Sequence, residues 1–79
     1  MELKVNWSEK RQRQILDRMI LRGISKNEFY EALIKGTKKR QHKGIYESMY
    51  RYYSIVYEEF ISEDRKLKKI YPITVKLVS

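Results

Sequence analysis

The chain of 79 residues has no cysteine, one proline, three glycines and a single histidine. Without cysteine there is neither a disulfide framework nor a thiolate metal site, and cysteine usage does not fix the compartment. A lone imidazole with no convincing carboxylate cluster beside it makes no metal centre, so neither a metal nor any other cofactor is expected. No apolar run approaches the roughly 20 residues that span a bilayer, and Met1 to Trp7 lack the apolar stretch of a secretory signal. The expectation is therefore a cytoplasmic protein with no membrane contact. Internal repeats and low-complexity segments are also missing. A chain this short forms a single domain, 1–79, and buries only roughly 60% of the surface its unfolded form exposes, so hydrophobic packing must act through a small core.

What the sequence has in excess is positive charge. Eighteen Lys plus Arg stand against ten Asp plus Glu, a formal net charge of +8, and the isoelectric point is about 9.8. A field of that sign on a small domain favours a polyphosphate partner, and nucleic acid leads. A hydrophobic content of 42% with 13% aromatics is too rich for a disordered tail, so the chain folds.

Leu3, Val5 and Trp7 alternate with Lys4 and Asn6, which suits a short strand. Ser8 is a suitable N-cap, and Ile15, Leu16, Met19 and Ile20 recur at helical spacing until Gly23, predicting a helix over about 9–22. Ser25 and Glu28 form a capping box, Phe29, Tyr30, Leu33 and Ile34 make one apolar stripe, and Gly36 stands where a C-terminal cap belongs. These predict a second helix over about 26–35 and a helical hairpin across Gly23 and Ile24. Two short helices cannot form a core alone, so the remainder must supply a surface for them.

From Ile45 to Ile61 two readings compete. Tyr46, Met49, Tyr50, Tyr53, Val56, Tyr57 and Phe60 share one helical face, whereas the abundance of Tyr, Ile and Val, with Tyr52 and Ile55 stranded on the polar side, favours strand. Strand is the preferred reading. Ser62, Glu63 and Asp64 then form a polar turn before a strand over 67–78, in which Pro72 marks a bulge or an edge. The predicted order is strand, helix, helix, then two or three antiparallel strands. The fold class is α+β, with a two-helix hairpin packed on a small curved antiparallel sheet.

Lys38, Lys39, Arg40, His42 and Lys43 crowd the segment between Gly36 and Gly44, where side chains reach phosphates without burying their heads. A second basic group, Arg65, Lys66, Lys68 and Lys69, opens the last strand, although Glu58, Glu59, Glu63 and Asp64 lie across the hairpin and can pair with it. Arg11, Arg18 and Arg22 share a stripe of the first helix. The nucleic-acid contacts expected from these runs are Lys38, Lys39, Arg40, Lys43, Lys68 and Lys69. A solvated charged surface is the plain alternative for each run. His42, kept neutral by the cations around it, is a candidate to accept the proton of a ribose 2′-hydroxyl. Metal-free RNA cleavage also needs cations on the phosphorane, for which Lys38, Lys39, Arg40, Arg51, Lys68 and Lys69 are candidates, and an acid for the leaving oxygen, a Tyr or an Arg; the residues expected to be catalytic are His42, Arg51 and Tyr71. About half of the tyrosines at 46, 50, 52, 53, 57 and 71 are expected in the core, the others being free to stack on bases.

Arg18, Met19, Arg22, Gly23, Ile24, Ser25, Glu28 and Phe29 in the hairpin, Arg51 to Tyr57, and Lys69, Ile70, Tyr71, Pro72 and Ile73 together resemble the small RelE/ParE-like toxin superfamily. The nearest branch is an uncharacterised one with an Arg-Gly-Ile-Ser hairpin and a terminal Tyr-Pro strand. The likeness covers nearly the whole chain. It implies a curved antiparallel sheet with two helices on one face, an antitoxin protein as partner, and metal-free mRNA endonuclease activity, in some relatives on the ribosome. The ParE branch poisons DNA gyrase instead. Lys39, Arg40, Arg51 and Tyr71 are the nearest counterparts of that superfamily's functional residues. Many members of the nearest branch carry a His-Ala pair where this chain has Lys10 and Arg11, so any role of that histidine is missing here. Besides the RNA-cleaving toxin reading, a non-enzymatic nucleic-acid or phosphate-binding module and a protein-interaction module with a strand-accepting sheet edge share the same fold. A three-helix DNA-binding domain would require residues 45–61 to be helical.

Overall fold

A computed structural model, which describes residues 2–77, turns the contested stretch into a hairpin of two strands. The elements run β1 (Glu2–Val5), α1 (Lys10–Leu21), α2 (Lys26–Lys35), β2 (Thr37–His42), β3 (Ile45–Tyr50), β4 (Tyr53–Ile61) and β5 (Leu67–Leu77). The helical reading of residues 45–61, and with it the three-helix domain, is excluded. Val78, expected in the last strand, lies outside the described residues.

The strands form one open sheet in the order β1-β5-β4-β3-β2. β5 pairs antiparallel with β4, β4 with β3 and β3 with β2, whereas β1 runs parallel to β5. The sheet is thus mixed rather than all antiparallel, and four strands follow the helices instead of two or three. The additional one is the basic run itself, β2, which pairs with β3 through the tight Lys43-Gly44 turn.

The capping box closes as expected: the Glu28 N–H donates to Ser25 Oγ, and the Ser25 N–H donates to Glu28 Oε1. At α1 the expected cap fails. Ser8 gives both its N–H and its hydroxyl to Asn6 Oδ1, and Glu9 precedes the helix without a side-chain cap. Gly36 ends α2 for a steric reason, since a Cβ there would collide with the Ser48 hydroxyl and with the Ala32 and Met49 carbonyl oxygens. The Ser48 hydroxyl donates to the Ala32 carbonyl and ties α2 to β3.

Both helices cover one face of the sheet, α1 over β5 and α2 over β3 and β4. The core between them holds Ile15, Met19, Ile24, Phe29, Ala32, Leu33, Tyr53, Ile55, Tyr57, Ile70 and Val75. Trp7 meets the Phe29 ring edge-on at 5.1 Å, and Tyr46 stacks on Tyr57 at 6.0 Å. Pro72 sits at a bulge, where β5 shifts register against Val56 and Tyr57. Its carbonyl accepts a hydrogen bond from Gln12 Nε2 on α1, at 3.0 Å.

The apolar stripe of α2 is narrower than expected. Leu33 is 4% exposed while Ile34 is 54% exposed, because the helix turns Phe29, Ala32 and Leu33 to the sheet and leaves Tyr30 and Ile34 outside it. Leu33→Ala should therefore cost about 2–5 kcal/mol through the cavity it leaves. Ile34→Ala should cost under about 0.5 kcal/mol, as surface substitutions do. Urea unfolding of the two variants checks the difference, and a larger loss for Ile34→Ala than for Leu33→Ala would mean that the stripe faces the other way.

Burial raises the phenols of Tyr53 and Tyr57 to about 12, with Glu28 contributing beside Tyr53 and Glu59 beside Tyr57. A raised value in the folded state means that the protonated phenol is favoured there. This contribution is full below the unfolded value near 10 and is lost as pH climbs towards 12. Urea midpoints measured from about pH 8 to pH 12 should fall above pH 10 in the wild type, and Tyr57→Phe should flatten part of that fall. Identical profiles for the two proteins would contradict it.

Candidate nucleic-acid interface

Strand alternation decides where each basic side chain goes, since successive residues point to opposite faces. Ile70 points into the core, so Lys68 shares the helix-covered face while Lys69 and Tyr71 point to the uncovered one. Lys68 is held there by Glu59, its Nζ 3.1 Å from Oε1. On β2, Lys38 lies opposite Ser48 and Arg40 opposite Tyr46, both on the helix side, whereas Lys39 lies opposite Glu47 on the uncovered face. Lys43 belongs to the β2-β3 turn. Of the six expected nucleic-acid contacts, Lys39 and Lys69 share the uncovered face.

The three expected catalytic residues do not converge. His42 pairs with Ile45, Ile45 with Glu58 and Glu58 with Tyr71, which puts His42 and Tyr71 in one row across three strand spacings, roughly 14 Å. Arg51 stands at the other end of β3 and β4, in the two-residue turn after Tyr50. That is five residues of strand, roughly 17 Å, from the row of Tyr71. There its guanidinium lies 5.1 Å from the Tyr50 ring centroid, and the charge of Tyr50 and a hydrogen bond to it push the Arg51 guanidinium further up. With φ of 54°, in the left-handed region that side chains rarely occupy, Arg51 is first of all a turn residue.

The uncovered face has a chemistry of its own. Glu47 is its central anchor, accepting from Gln41 Nε2 at 2.7 Å and from Ser54 Oγ at 2.8 Å, with Lys76 Nζ 3.8 Å away. Towards β1, Lys4, Asn6, Lys69 and Tyr71 line a recess of about 90 Å³. Asn6 Oδ1 is already taken by the two Ser8 donors, so its amide NH₂ is the end left for a ligand. Two ammonium groups, one amide NH₂ and one phenol then surround the recess, a set of donors suited to an anion. Phe60 meets Tyr71 edge-on at 5.4 Å and is 49% exposed, so one aromatic pair flanks the recess.

Of the tyrosines in question, Tyr46, Tyr50, Tyr53 and Tyr57 face the helices or flank that core, and Tyr52 lies in the turn. Tyr71 alone of the six is left on the uncovered face, fewer than the half expected. Sequence reading missed Lys4, Asn6, Glu47 and Phe60 at this face. Phe60 carried a signal, sharing the parity of Val56 and Glu58, but Lys4 and Asn6 join the site only through the parallel pairing of β1 with β5. Among the described residues, no three of His, Asp and Glu come close enough to hold a metal ion, and no helix is long and apolar enough to cross a membrane. No family model matches the chain, and neither does any curated protein or solved structure.

Because Arg51 is held in a left-handed turn far from the recess, Arg51→Gly should raise the urea midpoint or leave it unchanged, by removing the steric penalty of a side chain at positive φ. A lowered midpoint would show that the stacking on Tyr50 outweighs the turn strain.

Proposed function

We propose that the protein binds single-stranded RNA across its uncovered sheet face. One backbone phosphate sits in the recess of Lys4, Asn6, Lys69 and Tyr71, and neighbouring bases stack on Phe60 and Tyr71. The observation that carries this reading is a recess lined by two ammonium groups, an amide and a phenol and by no carboxylate, adjoining an exposed aromatic pair. Phosphate contacts position a strand, and unpaired bases stack on aromatic rings without regard to sequence. Glu58, the register partner of Tyr71, supplies an acceptor within the same row for a 2′-hydroxyl, a group that DNA lacks. Lys39 extends the positive path across β2.

The toxin reading, a metal-free mRNA endonuclease silenced by an antitoxin, is the second proposal, and the same recess favours it over the three-residue site. Cleavage here would use Glu58, the register partner of Tyr71, to take the proton of the 2′-hydroxyl as its oxygen attacks phosphorus, Tyr71 as the acid that protonates the leaving 5′-oxygen, and Lys4 and Lys69 to stabilise the phosphorane charge. His42 and Arg51 take no part. A nuclease of this kind cuts in EDTA, leaves a 2′,3′-cyclic phosphate, and is inert on a substrate lacking the 2′-hydroxyl. An intact substrate after incubation with pure protein, free or on translating ribosomes, leaves the binding reading alone in place.

With about three lysines on this face not engaged by a carboxylate, fluorescence anisotropy against oligouridine should give a log-log salt slope of about −2. Lys69→Ala should reduce that slope by about 0.7, whereas Lys68→Ala should leave it unchanged, Lys68 being engaged with Glu59 on the other side. Tyr71→Ala should cost about 1–3 kcal/mol of affinity through lost stacking. An affinity indifferent to salt between roughly 50 and 300 mM, or a Lys69→Ala variant that binds like the wild type, overturns the proposal.

A further inference from the structure

Among the described residues β2 is the last strand of the sheet, paired to β3 alone, and all six of its residues are exposed. In an antiparallel ladder every second residue turns both its N–H and its C=O away from the neighbouring strand, so one side of β2 presents a row of free donors and acceptors. The helices pack over β3, β4 and β5. Lys38, Lys39 and Arg40 are consecutive, so they put positive charge on both faces of that edge at once. We propose that β2 is a docking edge for an extended, acidic segment of another protein, which adds to the sheet as a sixth strand with consecutive acidic residues opposite Lys38, Lys39 and Arg40.

The backbone is what favours a peptide over RNA here. An edge strand offers carbonyl oxygens as well as N–H groups; phosphates are repelled by the first, while a peptide strand satisfies both. Side chains on an added strand sit about 5 Å from those directly opposite, close enough for opposite charges to pair on either face. The bulge between Arg40 and His42 sets the length of the contact, since a bulge ends regular pairing, and leaves Thr37 to Arg40 as the docking stretch. β1, at the other edge, carries Glu2 beside Lys4 and selects no sign of charge. Lysines on an edge also keep like edges apart, and the experiment separates that guarding role from docking.

The probe is a ten-residue peptide with three consecutive glutamates flanked by valines and threonines, added to the isotope-labelled full chain. Amide hydrogen exchange of the outward N–H groups among Thr37 to Arg40 should slow by about tenfold or more, while the recess residues Lys4 and Lys69 keep their rates. A copy of the peptide N-methylated at alternate residues, equally acidic but lacking backbone donors, should bind at least about tenfold more weakly. A copy with lysine in place of glutamate should not bind. The triple variant K38E/K39E/R40E should lose the acidic peptide and accept the lysine one. Binding without slowed exchange in β2, equal affinity of the N-methylated copy, no binding of the acidic peptide, or slowing of the same amides by oligouridine each overturns the proposal. The first three leave RNA binding at the recess untouched, so the two readings fail separately.

Discussion

The carbonyls of Pro72 and Val75 lie in the part of β5 that β1 does not reach, and α1 supplies donors to both, from Gln12 near its start and Arg22 just beyond its end. A carbonyl left unpaired in that position costs free energy comparable to a lost hydrogen bond. Two side chains ten residues apart on one helix can meet two carbonyls of one strand only if the helix lies along that strand. α1 is therefore fixed in direction as well as in place. The short Gly23-Ile24 link then drops α2 onto β4 and β3, with Ile24 buried and Gly23 in the left-handed region at φ of 79°. Both helices are committed to one face, and the opposite face is left uncovered.

An uncovered sheet face has to be compatible with water, and here Glu47 sets its character. Its carboxylate lies mid-sheet, largely covered, where an unpaired charge would be costly. Gln41, Ser54 and Lys76, from three different strands, converge on it. Ser54, fully buried, finds its partner there too. This network makes the centre of the face polar and ordered, while on its β1 side the donors of Lys4 and Lys69 and the amide NH₂ of Asn6 have no partner among the described residues. The face is therefore divided between a centre whose polar groups satisfy one another and a recess whose donors point to solvent.

The helical hairpin was legible because its signals are local: a capping box, a link of two residues, and Gly36 at a point where no Cβ fits. The strand character of residues 45–61 was legible from residue type against a competing helical period. The turn inside that stretch was not, because Arg51-Tyr52 contains none of the glycine or asparagine that marks tight hairpins, and the chain accepts Arg51 at positive φ instead. β2 was missed as a strand since six polar residues in a row give no alternation; its pairing with β3 supplies the structure that its own side chains do not announce. The parallel pairing of β1 was beyond reach for a different reason. Register between strands more than sixty residues apart leaves no mark on either segment, and the recess exists only through that register.

Basic runs in a sequence are commonly read as single surfaces, and β2 shows why the strand must be known first. Pleating sends Lys38 and Arg40 to one side and Lys39 to the other, and in β5 it likewise divides Lys68 from Lys69. A nucleic acid following one face therefore meets about half of the charge that the sequence counts for it. An extended peptide at the edge meets both halves, because its own side chains alternate in the same way. The same five-base run is thus a modest contributor to a face and a strong one to an edge, and the division follows from backbone geometry before any partner is present.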